Sequence, residues 1–422
     1  MKNKVLIIFF ALLVTGWVSA QKQWTLQQCV DTALANNRNI KQKALTRKTS
    51  EIAYQQARLD LLPNLNASAG QSWTFGRSQI ANGTYQNINS STSSFNISSG
   101  LTLFDGLKMK YNIDARMAAL KVSEAELEKI KQDIILNVAT AYLQVLLNKE
   151  LLQIAVNQLE LSKTKITQQN SLVVAGKMAE GEMYQLLAQQ SQEESNRVQA
   201  ENNLKLSLLD LAQILELKDF EKLDVVVPED LMSNELQLLN PQIVYQNAIS
   251  HRPEVKGAEY QLQNSKRNVL IAKSAYFPSL SFGVNVGGGY YNSVSTPIST
   301  NLGFNLSVPI FNKFETRNQV KTAQITVESN KLNVDNAKLE LRKTVQQAYY
   351  NALAAKAKWD AATKSEVANK EAYRFSNQKY EGGRATVYEL YQAKNNMAQA
   401  ESQVVQSKYE YIFRVKMLEL LK

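Results

Sequence analysis

Two periods of hydrophobic residues divide this chain. In the first, apolar residues recur every three or four positions, the mark of a helix that buries one face. Leu127, Ile130, Ile134, Val138, Ala141 and Val145 form one such stripe. Residues 107–175, 182–227, 310–381 and 384–422 contain neither glycine nor proline and are rich in Ala, Leu, Gln, Glu and Lys, which favour helix. A helix from about 108 to 174 would be roughly 100 Å long at 1.5 Å per residue. That exceeds any globular core, so it must pack lengthwise against other helices. The glycines of "VVAGKMAEGE" (173–182) and "KYEGGRAT" (379–386) then mark turns, with Gly176 and Gly383 as C-terminal caps. The pattern predicts two long helical hairpins.

The second period is two. Leu280, Phe282, Val284 and Val286 alternate with Ser281, Gly283, Asn285 and Gly287. Leu302 to Ile310, Phe95 to Leu103 and Leu65 to Trp73 alternate likewise with small polar residues. This predicts four strands, each with one apolar and one polar face. Their length suits a bilayer crossing, which takes about 9–11 tilted residues. Trp73, Phe75, Phe104, Tyr290, Tyr291 and Phe311 lie near strand ends, where membrane barrels carry aromatic girdles. An isolated hairpin cannot bury such a face in water.

The plan occurs twice. Phe104 and Phe311, Tyr142 and Tyr349, and Gly176 and Gly383 all stand 207 positions apart, while Pro63 and Pro278 stand 215 apart. The excess belongs to the polar loop 77–92 of the first hairpin. Pro63 in "LLPNL" and Pro278 in "YFPSL" each end a helix and open a strand, because proline disfavours helix in the residue before it. The expected organisation is a signal peptide (1–20), a first repeat (21–240) and a second (241–422). The first holds a β-hairpin at about 64–104, a helical hairpin at about 105–215 and a linker at 216–240. The second holds a β-hairpin at about 279–311 and a helical hairpin at about 313–421. Asn240 and Pro241 read as cap and first helical residue. Four strands cannot close a membrane barrel, whose smallest members have eight, and open edges are not tolerated in lipid. Three chains would supply twelve.

Composition narrows the function. Lys2, Lys4, the apolar run 5–14 and Val18-Ser19-Ala20 form an export signal, and Gln21 stands where a lipoprotein would have its cysteine. The net charge is +10, but acids and bases alternate without a basic block, so nucleic acid is not an expected partner. Cys29 is the sole cysteine and His251 the sole histidine; HExxH and Cys/His zinc motifs are therefore impossible. Cys29 reads as a small core residue and His251 as a surface or capping residue beside a helix start. No P-loop or dinucleotide fingerprint is present, and "VGGGYY" reads as strand glycines. No enzyme and no cofactor is expected. A periplasmic coiled-coil adaptor without a channel is the competing reading; two hairpins in one register weigh against it.

In this order and duplication, "LLPNL" and "YFPSL", "LTLFDG" and "VPIFNK", and the turn "KYEGGRATVYEL" resemble the TolC family of outer-membrane efflux proteins over essentially the whole mature chain. The resemblance implies a homotrimer with a shared twelve-stranded barrel in outer-membrane lipid and a long periplasmic helical barrel. It implies docking to a periplasmic adaptor (membrane fusion) protein and an inner-membrane efflux pump or ABC transporter, in drug efflux or type I secretion. It places Gly176, Lys177, Tyr380, Gly382, Gly383 and Arg384 at periplasmic tip turns that contact the adaptor. It places Glu182 and Glu389 at a gate, with Gln392 where the family's best-studied pattern has a second acid. Pro63 and Pro278 would mark the junction of barrel and tunnel.

Overall fold

The computed structural model describes residues 23–79, 83–87, 89–174, 179–218, 223–227 and 238–421. The signal segment and the first tip turn, with Gly176 and Lys177, lie outside the described residues. Each predicted helix-rich stretch holds a long helix, although the one within 182–227 ends at Ile214. The first half supplies α1 (Leu26–Asn36), α2 (Arg38–Leu59), α3 (Lys108–Val174) and α4 (Glu180–Ile214). The second supplies α5 (Pro241–His251), α6 (Pro253–Ser274), α7 (Glu315–Glu381) and α8 (Val387–Leu420). The long helices α3 and α7 have 67 residues each. At α5 the Asn240 side chain accepts from the Gln242 amide at 2.9 Å, with Pro241 first in the helix. His251 ends α5 and stands two residues before Pro253, which opens α6.

One antiparallel sheet holds the four strands. They are β2 (Asn64–Thr74), β5 (Ser90–Phe104), β7 (Ser279–Tyr291) and β8 (Val294–Ser307), in the order β2-β5-β7-β8. The register aligns the apolar positions across all four: Phe282 is opposite both Leu101 and Phe304, and Ile97 is opposite both Ala67 and Val286. Leu65, Phe95, Ile97, Leu302, Phe304 and Leu306 are all exposed, so the chain itself leaves this face uncovered. Glycines suit close backbone approach in β7: a Cβ on Gly289 would fall 1.9 Å from the Ser93 carbonyl oxygen. β8 ends at Ser307, short of the expected 311, because Pro309 has no N–H for a ladder. The polar loop 77–92 contains a small hairpin, β3 (Arg77–Gln79) with β4 (Tyr85–Asn87).

The linker is not featureless. Within it β6 (Asp224–Val225) pairs in parallel with β1 (Gln23–Trp24). Tyr142, fully buried on α3, reaches both segments: its hydroxyl lies 3.0 Å from the Trp24 carbonyl oxygen and also against that of Val226. Lys149 adds an ion pair to Asp224 at 2.9 Å.

The described residues fall into two compact units, and each draws on both sequence halves. One takes in 23–41 and the described residues of 130–249 and 341–421; the other takes in the described residues of 42–129 and 250–340. In the second unit the helices form a row. α2 meets α3 through Lys43–Glu126 (2.8 Å), α3 meets α6 through Asp114–Arg267 (3.6 Å), and α6 meets α7 through Glu259–Lys338 (3.4 Å). This is the order of the strands to which they connect. Among the described residues no helix is long and apolar enough to cross a membrane.

Candidate functional site: the tip turn and the sheet

The turn between α7 and α8 is built from glycine and a capped helix start. Gly383 adopts φ +67°, which costs glycine nothing. Its amide donates to the Tyr380 carbonyl at 3.0 Å, and the Arg384 amide donates to that of Lys379 at 2.8 Å. These are the two bonds of a Schellman motif. Three residues on, Thr386 and Glu389 cap α8 reciprocally. The Glu389 amide donates to the Thr386 hydroxyl at 3.2 Å, and the Thr386 amide donates to the Glu389 carboxylate at 3.0 Å. Glu389 thus holds the helix start while remaining exposed. Its expected counterpart Glu182 lies in the first turn of α4, whose cap residue Ala179 offers no side-chain bond. Gln392 bonds along its own helix to Asn396 at 3.2 Å.

Beneath the turn, Leu186, Val387 and Tyr391 form a buried cluster against which Ile166, Met183 and Tyr380 pack. Burial, and then the nearby Glu182 charge, raise the pKa of Tyr380. Burial pushes Tyr391 up to about 12. Lys165 on α3 joins Glu381 at the end of α7 at 2.9 Å.

Two turns into α8 lies a group that sequence reasoning did not find. The Lys394 ammonium is buried and donates to Glu193 Oε1 (2.8 Å), the Gln158 carbonyl oxygen (2.9 Å) and Ser162 Oγ (2.6 Å). It ties α8 to α3 and α4 at once. Burial lowers its pKa, and Glu193 only partly opposes this. Cys29 is fully buried, and burial alone pushes its thiol up to about 12, which suits a core residue and not a nucleophile.

The register divides the six aromatic candidates between the two ends of the sheet. Trp73 pairs with Ser91, and Tyr290 and Tyr291 pair with Ser93 and Thr92, near the β7–β8 turn. Phe75 follows β2 at that end. At the opposite end a bulge between Thr102 and Phe104 sets Phe104 against Leu280, and Phe311 follows β8. All six are exposed. Pro63 and Pro278 occupy equivalent places. Leu59 and Ser274 end their helices, Asn64 and Ser279 start their strands, and each pair is 215 apart.

The family model described as outer membrane efflux protein matches residues 29–216 and 244–421. The chain belongs to the outer membrane efflux protein family. It is 23% identical over 404 residues to "Toxin and drug export protein A" of Aggregatibacter actinomycetemcomitans, covering 94% of this chain and 85% of the relative. It is 22% identical to "Outer membrane protein TolC" of Escherichia coli (strain K12), covering 97% and 84%. Its fold matches the Campylobacter jejuni CmeC outer membrane channel with a TM-score of 0.79 at 20% identity, over 94% of this chain and 85% of that one. As a family member this protein is the outer-membrane channel component of an efflux system, with a large helical periplasmic part. The reading as a coiled-coil adaptor is thereby set aside. Its relatives are channels rather than enzymes.

Proposed function

We propose that three copies close their sheets into one twelve-stranded barrel and their helices into a tunnel that continues it. The chain would then be a passive exit duct, and an inner-membrane efflux pump or ABC transporter, joined through a periplasmic adaptor, would drive transport. One observation carries this reading: a four-stranded sheet with a continuous exposed apolar face and two outer strands, β2 and β8, each paired on one side only. In lipid such edges must be closed, and four strands fall short of the eight a barrel needs. The aromatic residues at the two ends of the sheet suit the two interfaces of a bilayer. Pro63 and Pro278 would mark the level where tunnel meets barrel.

The tip turn is the proposed adaptor contact, through Tyr380, Gly382, Gly383 and Arg384 together with Gly176 and Lys177. Glu182 and Glu389 are the proposed gate acids; threefold repetition around a constriction would draw cations and repel anions. Fractionation tests the whole. The protein should be extracted from the outer membrane only by detergent and run as a heat-modifiable trimer. Recovery as a soluble monomer would overturn the reading.

A further inference from the structure

Tyr290 and Tyr291 stand side by side in sequence but not on one face of the sheet. Successive side chains of a strand point to opposite faces. On β7 the apolar set is Leu280, Phe282, Val284 and Val286, and Tyr290 continues it. Tyr291 continues the other set, after Gly283, Asn285, Gly287 and Gly289. The β5–β7 pairing runs without a shift from Leu101–Phe282 to Thr92–Tyr291, so no bulge carries Tyr291 across. The irregularity between β7 and β8 puts its extra residue on β8, since Gly287 faces Ser299 and Gly289 faces Thr296.

The face that Tyr291 joins is unlike it. No residue of the four strands is charged. Val294 is opposite Tyr291 on β8, and apart from this pair the paired positions of the polar face are Gly, Ser, Thr and Asn. Among the described residues of these strands, Tyr291 is therefore the one aromatic side chain on that face. Gly289 and Gly287 precede it there, so the ring stands above a wall of small groups.

Its position is held firmly. Asn292 and Ser293 have φ +48° and +70°, the left-handed pair of a tight two-residue hairpin turn. The Asn292 amide donates to the Ser91 carbonyl at 2.8 Å, and the Ser91 amide donates to Asn292 Oδ1 at 2.7 Å. The turn is thus pinned to β5, at the end of the sheet away from Pro63 and Pro278.

We infer, on the three-copy closure proposed above, that Tyr291 with Val294 contacts the aromatic or apolar part of the exported molecule at the outer end of the lumen. That closure turns the apolar face to lipid and the polar face to the pore. Tyr290 then remains in the lipid-facing aromatic set, and Tyr291 leaves it. Because the surrounding wall is uncharged, the contact takes cations and anions alike.

Single-channel recording on the detergent-extracted full-length protein in planar bilayers tests both the face and the contact. Tyr291→Cys treated with a bulky water-soluble maleimide should lose conductance, and Tyr290→Cys should not. Cys29 is buried, so the treated parent serves as the blank. Benzyltrimethylammonium and benzenesulfonate, one ring with either charge, should each reduce the parent current when added at the outer side. Tyr291→Ser should weaken both blocks about threefold or more, the scale of one aromatic contact, while Tyr291→Phe retains them. A role confined to the hairpin would lower the thermal midpoint of Tyr291→Ser and leave block unchanged, which overturns the contact. Block weakened for one sign only overturns the uncharged wall. With a trimeric mass, no loss at Tyr291→Cys or a loss at Tyr290→Cys reverses the faces and leaves the closure standing. A monomeric mass overturns the closure and the contact together.

Discussion

Lys394→Met should be among the most damaging single substitutions in the helical part. The side chains of Lys394 and Glu193 are only 4% and 7% exposed, so neither charge can turn to water. Glu193 Oε2 already has no hydrogen-bond partner, and removing the ammonium leaves Oε1 with only a long bond from Gln189 at 3.4 Å. Breaking a buried pair from one side costs about 3–5 kcal/mol, whereas replacing both partners by apolar residues is often neutral. Lys394→Met combined with Glu193→Leu should therefore recover most of the loss. Urea unfolding of the detergent-solubilised protein, followed by far-ultraviolet circular dichroism, measures the parent, both single variants and the double. pH supplies a second readout. The folded-state pKa of Lys394 lies below the usual 10.5, so between the two values the unfolded chain binds more protons. This group's contribution to stability therefore rises with pH across that window, and Lys394→Met should remove that slope. A single variant within about 1 kcal/mol of the parent, or a double variant as unstable as Lys394→Met alone, would refute the assignment.

Glu389→Gln keeps a capping-box side chain but removes its charge, so it should lower cation preference in planar-bilayer conductance with little loss of stability. Glu389→Ala should also cost about 1 kcal/mol of helix capping; unchanged selectivity in both would remove Glu389 from the gate. Gly383→Ala should cost about 1–2 kcal/mol for its left-handed backbone, since nothing lies within 4 Å of the added Cβ. Gly106→Ala should cost more, because its φ is +68° and its Cβ would stand 2.7 Å from the Ser274 carbonyl oxygen and 2.8 Å from the Phe277 Cβ; equal thermal shifts would contradict this. Burial works to raise the pKa of Asp224, but hydrogen bonds from Lys149, Gln23 and the Val225 amide outweigh it and hold the carboxyl below 3.8. Its stabilising contribution is therefore present above pH 3.8 and lost as pH falls below that value. Asp224→Asn should flatten the acid limb of the stability profile, and an unaltered limb would show that this pair does not contribute.

The fold was legible because its elements are long and locally specified. A stripe sustained from Leu127 to Val145 admits only a helix, and Leu280 to Val286 admits only a strand with two unlike faces. Turn chemistry was equally local: Gly383 and Asn240 act within five residues of themselves. What stayed hidden depends on residues far apart in sequence. Lys394 and Glu193 are separated by 201 positions, and neither differs in sequence from the exposed lysines and acids around it. The two-residue ladder of β1 and β6 has no periodicity to read, so Asp224 and Val225 looked like linker. Glu389 was singled out as a candidate gate acid, and its bond to Thr386 shows that the same side chain also shapes the turn.

The internal repeat shows where such reasoning stops. The shift of 207 carries backbone conformation faithfully: Gly106 and Leu107 have positive φ before α3, and Lys313 and Phe314 have positive φ before α7. The side chains nevertheless differ, glycine at one site and lysine at the other. Gly106 has Ser274 and Phe277 pressed against it, which excludes even a methyl group. The residues equivalent to that pair are Leu59 and Leu62 of the first repeat, at the far end of the helix row, so within one chain Lys313 is free to carry a side chain. The shift therefore transmits what the local backbone requires, while residue identity follows the neighbour. At the ends of the row, that neighbour would belong to another copy of the chain.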